Sequence, residues 1–456
     1  MIDRSVPPKI TDEIKLRLPE LQSFTLDNGL TVHFSEKNSL PIVKLNFVLK
    51  TGSTADPEGK SGLANLTGMV IDEGAHGYDA LEIDTMLESL GSIFSISVDH
   101  DFIVFSLLSL KKNFEKSLEI ISWILREPNF QESDFSREKE KLLSEIIRLK
   151  DEPSFIADWV FGFYLFKNSP YKYPNIGTSK FIKEIEIADV RDFYEKNFSP
   201  QNFTIAAVGN LHKDEFAELL VKYFGEWETD SQNRRSVFSL NHLKKQLILV
   251  DKKEAAQSEI RIGNFASQRK APDYFAKKIV NSVLGGQFSS RLNHNLREEK
   301  GITYGVRTNF LHSVSHGFFE ASTAVDTINT KIALREFYKE FDLIRKDITD
   351  EEIAFAKSYL KKTFPSQFED YSKIVSNITT QIIFNLEKDF YKNVLQNISA
   401  VTKEEAVEAA RKNILPSEQL TVVVGDAAIL EKELAELTRD SGDNNFMKIS
   451  AEELEL

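Results

Sequence analysis

One stretch of this chain occurs twice, and that duplication limits the folds open to it more than any single motif does. Residues 190–200 (VRDFYEKNFSP) run into an apolar strand, 203–208, that closes on Gly209. Residues 406–416 (AVEAARKNILP) run into a second apolar strand, 420–424, that closes on Gly425. Lys412, Pro416 and Gly425 follow Lys196, Pro200 and Gly209 by the same 216 residues. Each copy reads helix, Asn, Pro, buried strand, Gly and a further helix (214–224 and 428–437). Landmarks in register without a gap imply two similar domains.

The segments between them have the periodicities of an α+β fold. Asn28-Gly29 sits between apolar runs as a hairpin turn, and residues 42–49 alternate as a strand does. A helix is expected from Gly62, a β-ribbon over 93–108, and amphipathic helices over 113–125 and 133–150. In the second half, strands at 246–250 and 259–265 precede a helix at 272–284. The expected architecture is two duplicated domains, each a mainly antiparallel sheet with helices packed on one face. They span 1–228 and 246–437, joined by a polar linker at 229–245 and followed by a frayed acidic tail at 438–456.

Composition removes several function classes. Lys and Arg number 57 against 70 Asp and Glu, a formal charge of −13. That disfavours nucleic acid or an anionic membrane as the main partner, since phosphate binding needs clustered cations. The chain has no cysteine, which excludes disulfides, thiolate zinc sites, iron–sulfur clusters and a Cys nucleophile. No run approaches the roughly 18 apolar residues that a membrane span requires. The first eight residues lack a basic segment leading into an apolar run. The expected compartment is therefore the cytoplasm, or the periplasm if a leader has been removed.

Residues 51–69 (TGSTADPEGKSGLANLTGM) resemble the entry to the zinc helix of the pitrilysin/insulinase metallopeptidases, the inverzincins. Those proteins carry a small-residue loop, Gly-Leu-Ala and then H-x-x-E-H. Two His at i and i+4 share a helix face and bind one zinc, and the Glu between them activates the metal-bound water. Here the His positions hold Asn65 and Met69, and the base position holds Gly68. The resemblance places the family's third ligand, a Glu on a later helix, at Glu145. An amide, a thioether and one carboxylate make a poor zinc set, so no metal is expected on this chain. Glu145 is then vestigial or an ordinary polar helix residue.

The second half resembles the other half-site of that family. Residues 285–292 (GGQFSSRL) lead into 296–306 (LREEKGITYGV), a small-residue loop with S-R-L and then L-R-E-x-x-G-x-x-Y. The resemblance implies that Tyr304 donates to the scissile carbonyl or its oxyanion and that Arg297 grips substrate carbonyls. Phenol and guanidinium are fixed donors suited to developing negative charge. The alternative is that Arg297 pairs with a nearby carboxylate and Tyr304 is a capped core aromatic. The strand at 90–101 resembles the edge to which an extended peptide adds, with Ser95, Ile96 and Ser97 as substrate-binding candidates. His312 and His316 fall in a strand–loop–strand, where i,i+4 does not bring side chains together. His294 lies one turn before Arg297.

These features together imply a subunit of a heterodimeric peptidase that binds no cofactor itself. Zinc and the general base are expected on a homologous partner bearing H-x-x-E-H, with short or unfolded peptides as substrates and no hydrolysis by this chain alone. The alternative is a catalytically silent structural or peptide-binding homologue.

Overall fold

A computed structural model describes residues 18–229, 238, 243–440 and 445–454. The expected linker lies mostly outside these residues. Two six-stranded sheets carry the fold, one in each half. The first runs in the order Gln22–Thr25, Thr31–Glu36, Phe203–Gly209, Ile42–Leu49, Ile103–Leu110, Ile93–Val98. The second repeats that order as Phe446–Ser450, Gln246–Asp251, Leu420–Gly425, Gln257–Ala266, Gly317–Asp326, Arg307–His312. Most pairings are antiparallel. Parallel contacts join Thr31–Glu36 to Phe203–Gly209, and Gln246–Asp251 to both of its neighbours.

The 216-residue shift extends well past the stretch that disclosed it. Helix Ile187–Asn197 recurs residue for residue as Lys403–Asn413, and helix Pro153–Leu165 recurs as Tyr371–Ile383 two positions later than the shift requires. The tail departs from expectation. Phe446–Ser450 is a strand, not a frayed segment, and helix Ala427–Asp440 runs on past residue 437. It occupies the sheet position that Gln22–Thr25 fills in the first half, so the chain's end satisfies the open edge of Gln246–Asp251 by backbone pairing.

The two equivalent helices are exchanged between the halves. Pro153–Leu165, from the first half, packs on Leu420–Gly425 and Gln257–Ala266 of the second sheet. Tyr371–Ile383, from the second half, packs on Phe203–Gly209 and Ile42–Leu49 of the first. The central strands are thus covered on both faces, by their own helices and by the visitor. This explains why Phe203–Gly209 and Leu420–Gly425 are buried at every position. Tyr371, Ile374, Val375 and Ile378 bury against Ala206 and Val208, each contributing roughly 1.5–3 kcal/mol for a large apolar side chain. The Tyr371 hydroxyl also donates to the Lys37 carbonyl (2.8 Å) and accepts from Leu40 N–H (3.0 Å). Among the described residues no helix is long and apolar enough to cross a membrane.

Candidate functional site

The first-half helix that resembles a zinc helix is Leu63–Val70. Its first turn is held by Asp56, whose carboxylate accepts from Gly62 N–H and Ala64 N–H, each at 2.8 Å. Burial pushes the Asp56 carboxyl up to about 7, against the pull of those backbone donors. One turn apart on the helix, Asn65 Nδ2 donates to Met69 Sδ at 3.6 Å. At Gly68 a Cβ would stand 2.9 Å from Val98 Cγ2 and 3.5 Å from Ile96 Cγ2. Strand Ile93–Val98 therefore occupies the space that a side chain at position 68 would need.

Glu145 lies on the neighbouring helix Glu132–Leu149, turned to Arg148 (Oε1 to Nη2 2.6 Å, Oε2 to Nε 2.9 Å). That hydrogen bond holds its carboxyl below the usual range. Zinc is held by imidazole, thiolate or carboxylate at about 2.0–2.3 Å. An amide bonded to a thioether, a glycine packed under a strand and a carboxylate committed to Arg148 do not fit it. Among the described residues no group of three or more His, Asp or Glu is placed to hold a metal ion.

Ser95, Ile96 and Ser97 lie on Ile93–Val98, the terminal strand of the first sheet, paired among the described residues on one side only, with Ile103–Leu110. Ser95 and Ser97 are exposed, and Ile96 turns toward Gly68. The structure does not bring these residues together with Arg297 and Tyr304. The cleft that holds the latter pair, about 610 Å³, is lined entirely by the second half.

Arg297 sits on Asn293–Glu299, a π-helical segment, a geometry common at functional sites. Its guanidinium carbon stacks 4.0 Å from the centre of the Phe288 ring, and Nη1 lies 3.4 Å from Glu298. The guanidinium lies against this ring on the lining of the cleft. Tyr304 is 95% exposed, so the capped core aromatic is ruled out. Its loop is nevertheless tied down. Asn293, buried beneath it, donates from Nδ2 to the Val306 carbonyl and accepts at Oδ1 from Val306 N–H, both at 2.9 Å. Thr303 Oγ1 donates to the Ala324 carbonyl at 2.9 Å, and Ile302 N–H to the Leu296 carbonyl at 3.0 Å.

The preceding loop is built for close approach. A Cβ at Gly285 would lie 2.6 Å from Thr308 Cγ2, and one at Gly286 would lie 2.8 Å from the Asn281 carbonyl. Arg291, of the S-R-L stretch, forms a two-toothed pair with Glu352 (2.6 Å twice) that anchors the loop to helix Asp350–Thr363. His294 lines a neighbouring pocket, not this cleft, and lies 3.3 Å from Glu299. His312 and His316 also go separate ways, His312 to Lys277 and His316 to Ser315.

Glu259 and Arg261 also line the cleft, and sequence reasoning missed them. Arg261 is buried and pairs with Glu259 (2.9 Å) and with Asp158 on the exchanged helix (2.5 Å). Glu320, on the strand beside it, is pushed up to about 7 by burial and then by Asp158, with Arg261 pulling the other way. Charged residues on a strand gave no sign of which helix would cover them.

Residues 32–168 match the family described as insulinase (peptidase family M16), and residues 184–360 match the peptidase M16 inactive domain. A Helicobacter pylori protein named non-peptidase homolog YmxG is 23% identical over 82% of this chain and 87% of its own length. A Rickettsia bellii protein named as an uncharacterized zinc protease is 26% identical, over 74% of this chain and 81% of its own. The solved structure of a peptidase M16 inactive domain from Pseudomonas fluorescens shares the fold, with a TM-score of 0.84 at 24% identity, over 89% of this chain and 98% of that one.

Proposed function

Because this chain belongs to peptidase family M16, we propose that it is the zinc-less subunit of a heterodimeric metallopeptidase. It presents Arg297 and Tyr304 to an active site whose zinc and base sit on a homologous chain bearing H-x-x-E-H. The observation that carries this reading is the exposure of Tyr304 on a loop held by buried Asn293. A large aromatic presented to solvent from a fixed backbone, beside a stacked guanidinium, is suited to meet something from outside the chain.

In the complex, the partner's zinc supplies the Lewis acid and the activated water. The Tyr304 phenol donates to the scissile carbonyl as it becomes an oxyanion, and Arg297 holds flanking peptide carbonyls. Both groups serve as hydrogen-bond donors that bind and orient the substrate. Substrates are short or unfolded peptides. The donor set at Asn65, Gly68, Met69 and Glu145 supports assigning the metal to the other chain, as does the name of the Helicobacter pylori relative, a non-peptidase homolog.

The second reading is a catalytically silent structural or peptide-binding homologue. It is compatible with the way Val98 and Ile96 close over Gly68, which leaves no room for a side chain at that helix position. Affinity capture of the tagged chain from its source separates the two. Recovery of a similar-sized chain with H-x-x-E-H, and zinc-dependent peptidase activity only in the complex, supports the donated half-site. Recovery of this chain alone, or of a complex without peptidase activity, supports the silent homologue.

A further inference from the structure

A second cavity lies away from the Arg297–Tyr304 cleft and shares none of its lining residues. It measures about 950 Å³ and opens between the start of helix Tyr274–Leu284, one side of helix Phe390–Ala400 and one side of helix Lys403–Asn413. That volume lies in the range of small-molecule sites.

Arg269, on its wall, is only 9% exposed. Its guanidinium carbon stacks 3.6 Å from the centre of the Tyr274 ring and 4.8 Å from that of Phe390. Among the described residues no carboxylate lies within ion-pair distance of it, and Nη1 is buried without a hydrogen-bond partner. Asp273, on the same wall, is already taken by Ser267 Oγ (2.6 Å), Asn413 Nδ2 (2.9 Å) and Lys412 (3.7 Å). A buried cation is costly unless an anion or full hydrogen bonding compensates it, and stacking on rings offsets only part of that cost. Burial, and after it the cations Lys277, Arg269 and Lys278, hold His312 down at about 3.

We propose that this cavity binds a single carboxylate carried on an apolar body, with the carboxylate seated on Arg269. The planar fork of the guanidinium matches carboxylate geometry, and Ala271, Pro272, Phe275, Leu386 and Val401 supply apolar wall. Around Arg269 the lining carries Asp273, Glu387, Glu404, Glu405 and Glu408 against Lys270 and Lys412, an acidic excess that disfavours a multiply charged anion such as a phosphate ester. The carboxylate comes either from the C-terminus of a peptide or from a free carboxylic acid.

Calorimetric titration of the full chain tests this with four probes: acetyl-Ala-Ala-Phe with a free carboxylate, its C-terminal amide, octanoate and inorganic phosphate. The expected result is saturable binding of at least one carboxylate. The peptide amide binds at least about tenfold more weakly than the peptide acid where the peptide is the ligand, and Arg269→Met weakens carboxylate binding by a similar factor. Octanoate binding more tightly than the peptide acid supports the site and assigns the source to free acids. Several results overturn the proposal: peptide acid and amide bound alike, phosphate bound more tightly than either carboxylate, no probe bound at millimolar concentration, or Arg269→Met binding as the unmodified chain does. If Arg269→Met fails to fold, the comparison of carboxylates with amide and phosphate on the unmodified chain decides the matter. No partner subunit enters the measurement, so its outcome is independent of the heterodimer reading.

Discussion

Asn293 grips Val306 from both sides, donating to its carbonyl and accepting from its N–H at 2.9 Å each, and so holds the backbone two residues from Tyr304. Truncation leaves a buried donor and acceptor unpaired, at about 1–3 kcal/mol. Asn293→Ala is therefore expected to lower unfolding free energy in urea by about 2 kcal/mol. In the proposed two-chain peptidase it is expected to lower kcat more than it raises KM, because the phenol would no longer be positioned. A variant as stable and as active as the unmodified chain contradicts the role given to Asn293.

Gly68 is expected to resist even the smallest side chain. A helix-interior Gly→Ala change ordinarily gains about 0.5–1 kcal/mol, but a Cβ here stands 2.9 Å from Val98 Cγ2, and overpacking costs about 1–3 kcal/mol. Gly68→Ala should lower the urea midpoint. A rise would mean that strand Ile93–Val98 yields easily, and that the closure over the old base position is loose.

Glu320 makes stability depend on pH. Burial, then Asp158, raises its carboxyl to about 7, above its ordinary value near 4.5. The folded chain therefore holds a proton that the unfolded chain has released. Stability is greatest below about 4.5 in this respect and falls as pH rises toward about 7. Asp56 and Asp72, also raised to about 7, chiefly by burial, act in the same direction. Glu320→Gln should shrink the loss of stability between pH 5 and pH 8 without abolishing it. An unchanged slope, measured by urea unfolding across that range, contradicts the assignment.

The exchanged helices should be needed by both halves. Tyr371→Phe removes the hydroxyl that bridges Lys37 and Leu40 across the halves, at an expected cost of about 1–2 kcal/mol. Hydrogen exchange should quicken in strand Phe203–Gly209 of the first half, which that helix covers. Faster exchange confined to the second half would contradict a shared core.

The duplication and the strand–helix periodicities were legible in the sequence because local pattern sets them. The apolar runs at 203–208 and 420–424 read as buried strands, but helices were expected on only one face of each sheet. Nothing local says what covers the second face, since the apolar side of Tyr371–Ile383 looks like that of any packed helix. The tail strand Phe446–Ser450 was hidden for a related reason: five residues in an acidic stretch pair with a strand some 200 positions earlier. Arg297 and Tyr304 stood out only because the longer run that holds them resembles the family's second half-site. Asn293, which holds the loop, is one amide among many and has no spacing to betray it. For Glu145, Arg148 stood three residues on in plain view, and the i,i+3 pair of a helix is what the structure shows.

The account rests most directly on what the Tyr304 hydroxyl does. Tyr304→Phe removes one oxygen from a residue that makes no core contact, so folding and assembly should be unaffected. The measurement is kcat for a peptide substrate with the purified two-chain complex, comparing Tyr304→Phe with the unmodified chain at equal zinc content. Loss of an oxyanion donor lowers kcat by about 10²–10³-fold, with KM little changed, and that is the expected result. Unchanged kcat would contradict the donated half-site and leave Tyr304 as an exposed residue without a part in the chemistry.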